Sequence, residues 1–271
     1  MLSQKIFTKP QVLAALIVAA VTVVAALPGR DSAESAFATQ KEPIDVKGGN
    51  KRPRAVYSVQ LLTGPSERAT RVARSSRYDK RHTVPFDEAS PDTTRRSSIN
   101  DWYLYITALP AAESDLVVIG EVISANGYLS SDRTGAYSEF TVQVSDVLKS
   151  DGRQSVSSII AEREGADVQL PDGRIIRYEI VYQGLPRTGR RYVLFLKYND
   201  AGNDYTIVTG YELRKNRVFP LDEPEPFATY RKYAENAFLN AVREAIAQSQ
   251  SRQMGIRHVF SRLTIRGTHH H

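Results

Sequence analysis

The sequence predicts a mainly β protein: a small closed β-barrel or sandwich followed by one amphipathic helix. Two observations carry that prediction. Between residues 99 and 222, apolar runs of strand length recur at close spacing with polar turns between them, giving about seven strands. After "LDEPEP", the segment 227–250 changes to helical spacing, so that Tyr230, Ala234, Ala237, Phe238, Ala241 and Ala245 can share one face. The chain then divides into a signal peptide or membrane anchor (1–38), a basic and mostly disordered arm (39–98), and a β-barrel domain (99–222). A C-terminal helix packed on the barrel (223–250) and a basic tail (251–271) complete it.

The first stretch carries Lys5 and Lys9 and no acid, then runs apolar from Val12 to Leu27 apart from Thr22. Pro28-Gly29 ends the run. "SAESAFATQ" follows, with Ala36 and Ala38 in the small-x-small arrangement of a signal-peptide cleavage site. A single-pass anchor over 12–27 is the alternative. Sixteen helical residues reach roughly 24 Å, short of the roughly 30 Å hydrocarbon core, but Ala38 stands eleven residues past the run, which is rather far for a cut. Both readings export the remainder to the periplasm, the cell surface or the medium. The chain has no cysteine, which excludes disulfides, thiol catalysis and cysteine-ligated zinc.

Charge is unevenly distributed. Residues 51–96 hold eleven Lys and Arg against five acids, residues 251–271 hold four arginines and no acid, and residues 97–250 hold 16 basic against 21 acidic residues. An acidic body therefore lies between a basic arm and a basic tail. The arm is rich in Ser, Thr, Pro and Arg, with "YSVQLL" (57–62) its one convincing strand, and such a composition offers little apolar area to offset its ordering entropy. It reads either as a solvated spacer or as a segment that docks on an anionic surface through Arg71, Arg74, Arg77, Lys80 and Arg81.

The body begins with "WYLYITALP", which alternates with a period of two. "DLVVIGEVIS" (115–124) reads as a buried strand, "ANGYLSSDRTGA" as a long hairpin loop, and "YSEFTVQVSDVL" (137–148) as a long strand. "VSSIIAERE" (156–164), "ADVQL" (166–170), "RIIRYEIVY" (174–182) after Pro171-Asp172-Gly173, "RYVLFLKY" (191–198), "YTIVTGYEL" (205–213) and "RVFPL" (217–221) follow. In "GLPRTGRRYVLFLKY" (184–198), Pro186 and Gly189 make a bend, Arg190 and Arg191 mark the mouth of a strand, and Tyr192 to Leu196 are core.

"DLVVIGEVISA", "SEFTVQVSDVLKSDG", "GLPRTGRRYVLFLKY" and "YTIVTGYELRKNRVFPLD" together resemble exported bacterial proteins of unknown function, and their layout is similar to the netrin-like barrel, an OB-type fold. The resemblance covers roughly 113–222 and rests on core and turn residues, so it implies a fold and hardly a function. The metalloproteinase inhibitors of that fold chelate zinc through an N-terminal cysteine. This chain has none, so their mechanism does not carry over.

No nucleophile motif, P-loop, H-E-x-x-H or G-x-G-x-x-G occurs, and residues 97–250 contain no histidine. Glu162 and Glu164 share a strand face and are candidates for paired carboxylates, although the wet face of an antiparallel strand is the more frequent origin of such a pair. Asp200, Asn203 and Asp204 form an acidic turn without calcium-loop spacing, and read as a plain hairpin. "THHH" reads as an appended or unstructured end. No cofactor and no metal site is expected. Tyr137, Tyr178, Tyr182, Tyr192, Tyr198, Tyr205 and Tyr211 offer stacking surfaces for single-stranded nucleic acid, but the acidic body repels phosphate. The expected function is therefore non-catalytic interaction with a protein or an anionic envelope surface, with a carboxylate enzyme or a structural subunit of an envelope assembly as alternatives. The candidate surface is loop 125–136, expected to expose Tyr128, Leu129 and Arg133.

Overall fold

Strands that are distant in the chain lie side by side to close a barrel. The computed structural model describes residues 52–57, 64–99, 104–150, 152–153 and 157–266, with side chains through Arg252. The signal or anchor segment, the strand expected over 57–62 except for Tyr57, and Trp102 lie outside the described residues. Among those described, no helix is long and apolar enough to cross a membrane.

The barrel is built from β3 (Leu116–Leu129), β4 (Ala136–Lys149), β5 (Ser158–Glu164), β8 (Arg190–Asn199) and β9 (Asp204–Arg214). The first three make an antiparallel meander, β8 pairs with β3, and β9 pairs with β8. A short parallel contact between β5 and β9, with Ala161 beside Tyr205 and Glu162 beside Thr206, closes the ring. Its order, β9-β5-β4-β3-β8, is compatible with an OB-type fold. β10 (Arg217–Pro220) extends the sheet from β9.

Alternation along β8 explains its unbroken apolar run. Tyr192, Leu194 and Leu196 fill the barrel with Val118, Val122, Phe140 and Val142, whereas Val193 and Phe195 belong to an outer core. That outer core is covered by Phe238, Leu239, Val242 and Ile246 of helix α2 (Glu235–Arg266). A strand buried on both faces needs apolar residues at every position. Arg190 and Arg191 are exposed at its start, each facing a carboxylate, Glu212 and Glu235 respectively. Inside the barrel, the buried guanidinium of Arg163 donates to Asp222 at 2.8 Å and to the carbonyls of Gly184 and Val208.

The chain leaves the barrel at Gly165, whose φ of 114° belongs to a region that favours glycine. It continues as β6 (Ala166–Gln169) and β7 (Ile175–Ile180), the centre of a second, four-stranded sheet. Its edges come from the segment expected to be a disordered arm: β1 (Arg54–Val56) runs parallel to β6, and β2 (Arg95–Ser98) parallel to β7. The same segment forms α1 (Pro65–Ser76) and contributes Ala55 and Phe86 to a core with Val168, Ile176 and Tyr178. The described parts of the arm thus share a sheet and a core with β6 and β7.

Other expectations shift. The stretch 104–109 is irregular rather than a strand, β3 runs on through Leu129 and leaves only 130–135 as the hairpin loop, and α2 begins at Glu235 after a 3-10 turn over Phe227–Tyr230. If the arm belongs to the fold, Phe86→Ala empties a fully buried position and lowers stability by about 3 kcal/mol, read from urea denaturation. A free arm would show no change.

Candidate functional site

Glu139, Glu162 and Asp204 project from three neighbouring strands, β4, β5 and β9, onto one patch of the barrel's outer wall. Glu139 stands directly opposite Glu162 in the β4–β5 register, an arrangement of like charges that destabilises a strand pair. Two residues further on, on the same face, Glu164 lies opposite Tyr137.

Helix α1 covers this row. Gly64 precedes it, Pro65 sits in its first turn, and Glu67 complements the positive N-terminal end of the helix dipole. Cations then recur every third residue, at Arg71 and Arg74 on one side of the helix, at its C-cap Arg77, and at Lys80 in the turn that follows. Arg71 pairs with Glu139, and its guanidinium lies 3.9 Å from the centre of the Tyr128 ring. Arg74, buried, reaches Asp204 at 2.8 Å and Glu139 at 3.4 Å, and donates to the Gly202 carbonyl at 2.9 Å. Arg77 bridges Glu162 and Asp204, meeting the latter at 2.8 Å. Lys80 meets Glu164 at 2.8 Å, an acceptor it shares with the Tyr178 hydroxyl at 2.6 Å. Tyr78, between the last two cations, stacks on Tyr137 at 4.5 Å.

Backbone contacts fix the arm in place. Asp79 accepts from Ser131 Oγ at 2.6 Å and from the Asp132 amide at 3.0 Å, and Thr134 accepts from the Lys80 amide at 2.7 Å. Glycine is required where the two backbones approach: a Cβ on Gly135 would lie 2.2 Å from the Tyr78 carbonyl oxygen, and one on Gly127 would lie 2.4 Å from the Ala55 nitrogen.

These contacts correct several expectations. The acidic surface met by Arg71, Arg74, Arg77 and Lys80 is the chain's own barrel. Tyr128 is half-buried beneath Arg71, and Leu129 packs on the core behind the second sheet, so neither is an exposed loop residue. Arg133 is exposed but engaged, donating to the Tyr57 hydroxyl at 3.1 Å and lying 3.5 Å from Asp87, while Arg81 is solvent-exposed. Glu162 and Glu164 do not form a wet face: Glu162 is fully buried. Within the acidic turn, Asp204 is buried beneath Arg74 and Arg77, and Asp200 remains exposed near Arg153. The sequence reading did not single out Glu139 or Tyr78. A signal was present in the three-residue cation spacing behind a helix-starting Pro65 and Glu67, which marks a helix with a charged buried side.

Burial, with Asp204 next in effect, raises the Glu162 carboxyl to about 9, against the opposing pull of Arg77. Burial likewise raises Tyr78 well above its ordinary value, with Glu162 adding to the shift. Burial lowers Arg71 most, but Glu139, Tyr137 and Tyr128 together outweigh it and shift the guanidinium upward. Held in this way, the carboxylates and their cations fasten the chain, and Glu139, Arg71 and Arg74 also line an open cleft of about 400 Å³ with Tyr128. Among the described residues, no group of three or more His, Asp or Glu side chains is arranged to hold a metal ion. No protein-family model matches the chain, and no curated protein matches it.

Two outcomes test this geometry. Arg74→Ala leaves Asp204 and Glu139 short of a partner in a buried site and costs about 3 kcal/mol in denaturant unfolding. The pH dependence has a definite sign. A carboxyl raised from 4.5 to about 9 contributes stability that is fully present below about 4.5 and is lost as pH rises through about 9. Melting temperature should therefore fall between pH 5 and 9.5, and Glu162→Gln should flatten that fall. Parallel declines in both proteins would contradict the assignment.

Proposed function

We propose that this chain is an exported, non-catalytic interaction module, in which an OB-type barrel and the folded arm form a single rigid scaffold for a protein partner. The observation that carries the reading is the engagement of Glu139, Glu162 and Asp204 by arginines of the same chain. These carboxylates maintain the fold, and Glu162, the one with the most enzyme-like shift, is fully buried beneath Arg77 and Tyr78.

The position of α1 adds support. OB-type barrels bind oligonucleotides and oligosaccharides on the face of their second and third strands and on the adjoining loops. Here those strands are β4 and β5, and α1 lies across them. The acids beneath it disfavour phosphate, in keeping with a partner other than nucleic acid. Export rests on the charged, apolar and small-residue order of residues 1–38, and an anchored form would hold the scaffold at the inner membrane.

Cross-linking in the native envelope with the full chain as bait tests the reading. A saturable protein partner should be retained at moderate salt, and equally by Glu162→Gln. Turnover of a substrate that Glu162→Gln abolishes without unfolding the protein would replace it with a carboxylate enzyme. Removing residues 39–98 is unsuitable as a control, because it takes away Phe86, β1, β2 and α1 together.

A further inference from the structure

Among the described residues, nothing covers one face of the second sheet, whose character is opposite to that of the barrel wall. Register sets Arg54, Asp167, Arg177 and Arg95 in one row across its four strands, on the side away from Ala55, Val168 and Ile176. Arg52 lies beside this row, 3.5 Å from Asp167 and 4.0 Å from Glu179. Four arginines thus share two carboxylates, and the face is net positive. Arg95 and Arg177 are 65% and 56% exposed even while paired with Glu179 and Asp167. A groove of about 270 Å³ lies between them, lined by Thr94, Arg95, Asp167, Ile175 and Arg177.

This face adjoins a free strand edge. Among the described residues, β2 is hydrogen-bonded on one side only. The Thr94 and Ser98 carbonyls accept from the Arg177 and Val181 amides of the β7 side. Alternation along a strand then turns the N–H and C=O groups of Arg95 and Ser97 outward, where no described residue pairs with them. Arg96 points to the other side of the sheet, with its guanidinium 4.5 Å from the Phe86 ring centre and bonded to the carbonyls of Val84 and Pro85.

We propose that the β2 edge is a docking site for an extended acidic segment of a partner protein, which adds as a further strand and sets its carboxylates against Arg95 and Arg177. The inference rests on the interaction-module reading and gives it a location. Charge complementarity selects the occupant. A second copy of this chain would bring its own Arg95 and Arg96 against the edge and be repelled, whereas an acidic strand gains both backbone hydrogen bonds and charge-assisted ones. Exposed Ile175 of β7, the strand next to β2, lies on the same face and gives an apolar side chain of such a strand a place to rest.

The test uses the full chain and two labelled peptides of equal length, one alternating Glu with Val and the other Lys with Val. Fluorescence anisotropy gives affinity, and amide hydrogen exchange at Arg95 and Ser97 gives the mode of binding. The acidic peptide should bind and protect those amides. Arg177→Glu should weaken it at least about tenfold, which corresponds to about 1.4 kcal/mol. Ser97→Pro removes an outward N–H, leaves the β7 ladder in place, and should abolish binding while circular dichroism stays unchanged. Equal binding of both peptides, or acidic binding unaffected by Ser97→Pro, would overturn the proposal, the latter leaving a charged surface without strand addition. Binding to phosphatidylglycerol vesicles in preference to the peptide would also overturn it, in favour of a lipid surface. If neither peptide binds yet the envelope partner is still captured, this site fails and the module reading stands. If both fail, the two fall together.

Discussion

The structure depends on cancelling repulsion among carboxylates that adjacent strands force together. Pairing β4 with β5 sets Glu139 against Glu162, and closing the ring with β9 brings up Asp204. A barrel wall with three such groups in a low-dielectric patch is unstable alone, since an unpaired buried charge costs several kcal/mol. The arginines of α1 and its C-cap, together with a Glu162 carboxyl that keeps its proton at neutral pH, resolve this, and in doing so they fix where the described parts of the segment from 52 to 98 must lie. That segment then supplies both edges of the second sheet and the aromatic plug of its core. Removing either party therefore damages both.

The chain has no disulfide to draw on, and its three cores show what replaces one. The barrel interior, the outer layer under α2, and the pocket behind the second sheet meet along β3 and β4, long strands that pass from one to the next. Register shifts in β3 between Val117 and Val118, Ile119 and Gly120, and Val122 and Ser124 let it curve to serve them all. Buried charge replaces apolar area where apolar area is scarce. Arg163 with Asp222 does so inside the barrel, and the α1 cluster does so outside it.

Much of this was legible in the sequence where apolar alternation dictated it. The strands around Val118, Phe140, Leu194 and Ile207, the run from Tyr192 to Leu196, and a C-terminal helix all follow from period and turn residues. The arm was not legible in the same way, because its order does not come from hydrophobic burial. Arg71, Arg74 and Arg77 read as solvated by composition, and only the carboxylates waiting on β4, β5 and β9, far along the chain, give them a buried destination. For the same reason Glu162 looked like a surface residue: alternation assigns a face, and whether another element covers that face is a tertiary fact. Tyr128 and Leu129 were misplaced for a related cause, since Ala125–Leu129 keep strand pairing with β4 through Asn126, Gly127 and residues that read as a turn.

The distance in sequence between the paired groups has a consequence for how the protein assembles. Arg77 and Asp204 are 127 residues apart, and Arg74 and Gly202 are 128 apart. A chain made from its N-terminus releases the arm first, long before β9 exists to complete the surface that receives it. Until then the arginines have only water to pair with, and the forming barrel carries its unneutralised acids. Such long-range closure is slow, because its entropic cost comes before any contact repays it. Docking of α1 onto Asp204 therefore waits until β9 has been made, although α1 itself precedes every strand of the barrel.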